Sequence, residues 1–255
     1  AAAALRADKH VLLEKPPGIT HEQLDDLSAA LQGRNLTTLC SFVLRWNPLV
    51  VALTALRDQG AFGDIFFIQT DYWHGVGSVI RADRWIAKKE LAGSAMLTGG
   101  CHAVDMARNF MGEVARVTAH SHNNPSLGFE YDTATVCTLE YESGAIGKTS
   151  SILEIVAPYR FNVIVMGSEG TALGNQLYSR VLMPEQQDFV EIPCITPNSG
   201  DVAHHPFQQE IDYLVECLQT GEDCVPDIAD GIRTSRVCLA ADRSAANGGR
   251  PEEPR

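Results

Sequence analysis

Six extended segments crowd the stretch 65–183 with few helical intervals between them, and this pattern limits the chain's fold more than any other feature. They are 65–72, 114–122, 133–140, 146–153, 161–167 and 177–183, separated by turn signals such as Glu142-Ser143-Gly144. Strands joined in succession with little helix between them pair mainly antiparallel, so a large, mostly antiparallel sheet is expected here.

The flanks read differently. Residues 2–7 favour helix and run into His10-Val11-Leu12-Leu13, an apolar run suited to a buried parallel strand. Thr20 sits at capping-box spacing before Gln23, Leu24, Leu27 and Leu31 then recur on one helical face, and Gly33 stops the helix. A second strand is expected over 37–43. This β-helix-β unit, preceded by a helix, is what the later half of a doubly wound sheet looks like. A helix over 47–60 precedes the antiparallel region. Two more follow it, one over 206–220 striped by Phe207, Ile211, Leu214 and Leu218, the other opening after Asp227 and ending at Asn247-Gly248-Gly249. The tail, 250–255, is expected to be unstructured.

With 32 acidic against 20 basic residues the net charge is −12, which opposes binding to phosphate backbones and anionic lipid surfaces. Nucleic acid and membrane are therefore not expected partners. The apolar runs are strand-length, and Ala1 to Leu5 lacks the basic start of a secretion signal, so a cytoplasmic location is expected. The seven cysteines are scattered without a C-x-x-C pair, which points to free thiols rather than to disulfides or a metal centre. His204-His205 reads as a solvated helix start rather than a metal site, and Gly75-Val76-Gly77 lacks the strand-to-helix context of a phosphate loop.

Two segments carry chemistry. Glu14-Lys15-Pro16 follows the first strand, at the carboxyl edge where ligands bind in open α/β folds. Lys15 there either meets a substrate or is a surface lysine at a strand end. The second segment runs from Ala92 to Asp105 through Thr98-Gly99-Gly100-Cys101-His102, glycine-rich and then helical. His102 and Asp105 share a helix face, and His102 reads either as a proton-exchanging group or as a satisfied structural histidine. Asp71, Tyr72, Trp73 and His74 close a strand and Arg84-Trp85 follows a loop. Their aromatic rings and Arg84 suit a sugar site by stacking and hydrogen bonding, and suit packing equally well.

In this order and at this separation, the two segments resemble the signatures of the Gfo/Idh/MocA oxidoreductases. Asp8-Lys9-His10-Val11-Leu12-Leu13-Glu14-Lys15-Pro16 is similar to the family's E-K-P strand, and Gly100, His102 and Asp105 to its G-G-x-x-x-D-x-G-x-H-x-x-D stretch. Arg45-Trp46-Asn47-Pro48 and Ala245-Ala246-Asn247-Gly248-Gly249 resemble its domain connection and last helix. The resemblance implies α/β plus α+β architecture: a partial Rossmann dinucleotide-binding domain over 1–45, then a substrate and oligomerisation domain over 46–255 with helices on one sheet face. It further implies NAD or NADP as cofactor, a small polyhydroxylated substrate, and a homodimer or homotetramer.

By the same resemblance, Lys15 and His102 are catalytic and flank the reacting hydroxyl. Arg84, Trp85, Thr98 and Asp105 fall on the substrate side, and Glu14, Lys15, Pro16 and Arg45 on the cofactor side. Oxidising an alcohol requires a base for the hydroxyl proton, and His102 near its ordinary pKa, or Lys15 lowered by burial, suits that task, the other orienting the oxygen. Two departures stand out. Thr98 occupies the position four before the histidine where many members carry aspartate, leaving Asp105 as the candidate partner of His102. No G-x-G-x-x-G occurs in the chain, so the resemblance implies that the first strands of the cofactor domain, on the order of 80 residues, lie outside it. A non-catalytic binding or assembly subunit is the alternative reading.

Overall fold

The computed structural model describes residues 1–76, 84–198 and 205–255. Helix α1 (Ala2–Arg6) leads to strand β1 (Val11–Glu14), helix α2 (His21–Leu31) and strand β2 (Thr38–Ser41). The two strands pair parallel, with Glu14 beside Ser41 at their carboxyl ends. Thr20 caps α2 by accepting from the Gln23 backbone N–H at 3.3 Å, and Gln23 Oε1 accepts from Ile19 N at 2.8 Å, one residue outside the reciprocal capping box. Leu24 and Leu27 are buried against Leu5, Ile228 and Ile232. Strand β2 ends at Ser41, sooner than its apolar run suggests, because the chain turns into a 3-10 helix at Val43–Trp46.

Helix α3 (Pro48–Asp58), capped by Asn47, delivers the chain to strand β3 (Ile65–Trp73). The short helix α4 (Lys89–Ala92), a π-helical turn at Met96–Gly100 and helix α5 (Cys101–Met111) follow. Strands β4 (Val114–His122), β5 (Ala134–Tyr141), β6 (Ile146–Ile152), β7 (Arg160–Gly167), β8 (Gly170–Leu173), β9 (Gln176–Ser179) and β10 (Val190–Glu191) complete an eight-stranded sheet. Its order is β10-β9-β8-β7-β3-β6-β5-β4, antiparallel throughout except for the central pair β3 and β6. Helices α6 (Phe207–Thr220) and α7 (Ile228–Ala246) close the chain. No described helix is long and apolar enough to cross a membrane.

The mostly antiparallel sheet matches the sequence expectation, with three corrections. The segment expected as a strand over 177–183 pairs only as far as Ser179. There the hydroxyl donates to Ala61 O at 2.7 Å and accepts from Leu182 N at 3.3 Å, turning the chain out of the sheet. Strand β8 went unrecognised because Gly170-Thr171-Ala172-Leu173 is too short to show an alternation. The tail is also not loose: Glu252 N and O bond Val117 at 2.9 and 2.8 Å, extending the edge of the sheet.

Helix α5 is the central element. Its residues Cys101 to Arg108 are buried between the sheet and α7. The Thr70 hydroxyl on β3 donates to Ala103 O at 2.8 Å, and Ser151 on β6 donates to Ala95 O at 2.8 Å. Arg108 bonds Thr234 Oγ1 at 2.8 Å and Glu113 at 2.6 Å, tying α5 to α7. Such charge-assisted bonds fix the helix rotationally, which the first turn's function requires.

Candidate active site

A cavity of about 210 Å³ opens where the carboxyl ends of β1 and β3 meet α4 and the π-helical turn. Lys15, Pro16, Tyr72, His74, Trp85 and Thr98 line it, with Leu91, Leu153 and other apolar side chains forming the rest of the wall. It is smaller than the roughly 300–1,000 Å³ of pockets for drug-sized ligands, which suits a single small ring or chain. A larger hollow of about 850 Å³, beside His21, Lys89 and Arg243, does not contain Lys15, and His102 lines neither hollow. Size alone therefore does not locate the chemistry.

Lys15 enters from the end of β1 and donates from Nζ to the Thr98 carbonyl at 2.8 Å. Thr98 thus acts through its backbone, while its hydroxyl donates to Ala92 O at 3.0 Å. Glu14 stays exposed at the sheet edge, its Oε2 accepting from the backbone N–H of Lys15 at 3.2 Å.

His102 sits in the first turn of α5 and is 4% exposed. The Tyr72 ring stacks on it at 5.9 Å and 17°, and Phe42 meets it edge-on at 6.0 Å. Its Nδ1 is buried and unpartnered among the described residues. Burial first, then the charges of Lys15 and His205, hold its pKa well below the usual histidine value. This corrects the expectation of an ordinary pKa: burial favours the neutral imidazole.

The glycine pair has an identifiable task. A Cβ on Gly99 would lie 2.3 Å from Tyr72 Cε1, and one on Gly100 2.9 Å from both Met96 Sδ and Ser151 Cβ. What approaches Gly99 is the Tyr72 ring, which is thereby set over His102.

Asp105, one turn into α5, does not meet His102. Both its oxygens accept from Arg45, at 2.8 and 2.7 Å, and the two side chains are 1% and 11% exposed. The two residues therefore form a buried pair that fixes the connection after β2 to α5, and Asp105 does not line the cavity. Strand alternation divides the aromatic group. Tyr72 and His74 face the cavity, the Tyr72 hydroxyl lying 3.2 Å from His74 Nδ1. Asp71 is buried with Lys148 and Ser150, and Trp73 Nε1 donates to Ser150 at 2.9 Å. Trp85 stands at the rim, 47% exposed. The side chain of Arg84, and His204 and Gly77, lie outside the described residues.

Sequence reasoning missed Tyr159, whose ring contacts Tyr72 at 5.4 Å and His74 at 5.2 Å. It also missed Glu210, 2% exposed on α6, which accepts from Ser41 Oγ at 2.9 Å and leaves Oε1 unpartnered. Burial, and secondarily the charge of Glu14, raises the Glu210 pKa to about 7. A glutamate on a surface-patterned helix carries no local sign that it will be buried.

Residues 50–173 match a family model described as the GFO/IDH/MocA C-terminal domain. The chain is 31% identical over 235 residues to the trans-1,2-dihydrobenzene-1,2-diol dehydrogenase of Xenopus laevis, covering 89% of this chain and 68% of that one. It belongs to the Gfo/Idh/MocA family of oxidoreductases. An uncharacterised oxidoreductase of Bacillus subtilis, YrbE, is 26% identical over 259 residues, covering 96% of this chain and 71% of the relative. The fold superimposes with a TM-score of 0.87 on levoglucosan dehydrogenase in complex with NADH and levoglucosan, at 21% identity over 100% of this chain and 76% of the other. Lys15 lines the cavity, and His102, 87 positions later in the chain, lies behind the Tyr72 ring that lines it.

Proposed function

We propose that this chain carries the reaction site of an NAD(P)-dependent dehydrogenase acting on a hydroxyl or carbonyl of a sugar, inositol or related polyol. The observation that carries the reading is Lys15, anchored in a small cavity at the carboxyl edge of the parallel sheet, with the buried His102, whose Nδ1 has no partner among the described residues, behind the Tyr72 ring that lines that cavity. The relatives support it, since dehydrogenases of levoglucosan, D-xylose and D-apiose stand among them.

The residues present fit the reacting end of a nicotinamide dinucleotide. Glu14, Lys15 and Pro16 lie at the carboxyl edge of β1, the buried imidazole of His102 lies behind the Tyr72 ring that lines that edge's cavity, and Arg45 contributes by orienting α5 through Asp105. For the pyrophosphate the fit is different: the helices following β1 and β2 begin with their own caps, Thr20 and Asn47, without a glycine-rich turn. When bound, the nicotinamide supplies the hydride chemistry. One of Lys15 and His102 takes the hydroxyl proton and the other orients the oxygen and steadies its developing charge, Lys15 lining the cavity and His102 reached by movement of the Tyr72 ring. Placing an imidazolium beside Lys15 is unfavourable, which favours return of the proton to solvent after turnover. Tyr72 and Trp85 offer aromatic surface to the sugar.

The test is turnover of a polyol panel with NAD and NADP, followed through reduced nicotinamide. Lys15→Met and His102→Asn should each lower kcat/KM by roughly 100-fold or more. Turnover unchanged by both substitutions would contradict the assignment. The closed helix starts favour a second reading, a binding or assembly subunit, which gains if no nicotinamide cofactor binds. We also propose a homodimer or homotetramer formed through the sheet face away from the helices, where Val136 and Ile146 are exposed. Light scattering that gives a monomer at every concentration would oppose it.

A further inference from the structure

His74 is the first residue beyond β3, and the strand end holds its backbone in place. The N–H donates to Ile152 O at 2.8 Å and the carbonyl accepts from Val76 N at 2.9 Å. The next residue passes close to the chain that follows β6, where a Cβ on Gly75 would lie 2.5 Å from Ile155 O. The ring is fixed as well. It meets the Tyr72 ring edge-on at 6.0 Å and the Tyr159 ring at 5.2 Å, and its Nδ1 lies 3.2 Å from the Tyr72 hydroxyl.

That arrangement leaves one ring nitrogen for a ligand. Burial, and after it the charges of His205 and Lys15, favours the neutral imidazole, which has one N–H and one acceptor nitrogen. Nδ1 is engaged by Tyr72, whose phenol burial pushes above its ordinary pKa, so the hydroxyl keeps its proton. Nε2 has no hydrogen-bond partner among the described residues, and the side chain lines the cavity that Lys15 also lines. Lys15 Nζ spends one N–H on Thr98 O and keeps others for a ligand. Val76, Ile86, Leu91 and Leu153 give the wall apolar surface. In a space of about 210 Å³, Lys15 from the end of β1 and His74 from the end of β3 therefore reach the same ring-sized ligand.

We propose that His74 is a further substrate-binding residue, its Nε2 holding a second hydroxyl next to the one at Lys15, so that the site selects a vicinal diol over a monohydric alcohol of the same size. The proposal rests on the reading of this cavity as a polyol site and narrows it. A monohydric ligand would cover Nε2 and leave it without a partner, which is the stronger source of discrimination. Tyr72 acts through His74, its hydroxyl setting the ring so that Nε2 is the nitrogen left for the ligand.

The experiment is an NMR titration of the purified chain, with and without NADH, using trans-cyclohexane-1,2-diol and cyclohexanol and read on the imidazole nitrogens of His74. The diol should shift the Nε2 resonance and bind about tenfold more tightly than cyclohexanol. His74→Phe, which keeps a ring without its nitrogens, should bring the two affinities within about twofold of each other. The Nε2 shift is read on the parent protein, so it decides the matter even where that variant fails to fold. Equal binding of the two alcohols, a diol preference that survives in His74→Phe, or diol binding that leaves Nε2 unmoved would overturn the role of His74 and leave the polyol reading standing. If neither alcohol nor sorbitol perturbs any residue of the cavity, the polyol reading falls and the inference with it.

Discussion

Gly99→Ala tests how the site is built. The added Cβ would lie 2.3 Å from Tyr72 Cε1, well inside van der Waals contact, so the ring or the π-helical turn must move by roughly an ångström. The turn is pinned by the Ser151 bond to Ala95 O, and Tyr72 is enclosed by His74, Tyr159 and His102, so neither side yields freely. Overpacking of this kind costs about 1–3 kcal/mol. For a chain of this size that corresponds to a fall in Tm of about 2–10 °C. Displacing Tyr72 also uncovers His102, whose low pKa comes first from burial, so its titration should move up towards the ordinary histidine value. Calorimetry and NMR titration of the histidine ring protons read the two effects separately. An unchanged Tm together with an unchanged His102 titration would refute the claim that Gly99 seats Tyr72 over the imidazole.

Asp105→Asn leaves the Arg45 guanidinium buried without its counter-charge and should destabilise the fold by about 3–5 kcal/mol, measured by chemical denaturation. Lys15→Met removes a positive charge acting on His102 and should raise the imidazole pKa, while a fall or no change would contradict the contact inferred between them. Glu210 has its folded pKa raised from 4.5 to about 7, so its contribution is most favourable below 4.5 and is lost as pH rises through about 7. Glu210→Gln should therefore gain about 1–2 kcal/mol over the parent near pH 8 relative to near pH 5, after allowance for solvent screening. Equal differences at the two pH values would show that the buried carboxyl is not the source.

What the sequence displayed well was local and periodic. The capped helix at Thr20, the extent of α6 and most strands of the large sheet follow from hydrophobic spacing and turn residues, while Phe207, Ile211 and Leu218 of the expected α6 stripe stay exposed. Lys15 and His102 each stood in a recognisable local context, a strand end and a glycine-rich helix start, and their proposed roles came from the family resemblance. The pairing of Arg45 with Asp105 was not, since it joins residues 60 apart and each side chain alone reads as a surface or site charge. Nor did alternation in β3 reveal which of Tyr72, Trp73 and His74 would face the cavity, because both faces of that strand are covered at its end. The short strand β8 and the docked tail depend on tertiary contacts that leave no periodic trace.

The most direct test of the account is saturation-transfer NMR of NADH with the purified chain and with Lys15→Met. The account predicts strong transfer to the nicotinamide ring protons, weaker transfer to the adenine, and loss of the nicotinamide signal in the variant. Transfer confined to the adenine, or a nicotinamide signal indifferent to Lys15, would contradict the claim that this chain holds the reacting end of the cofactor.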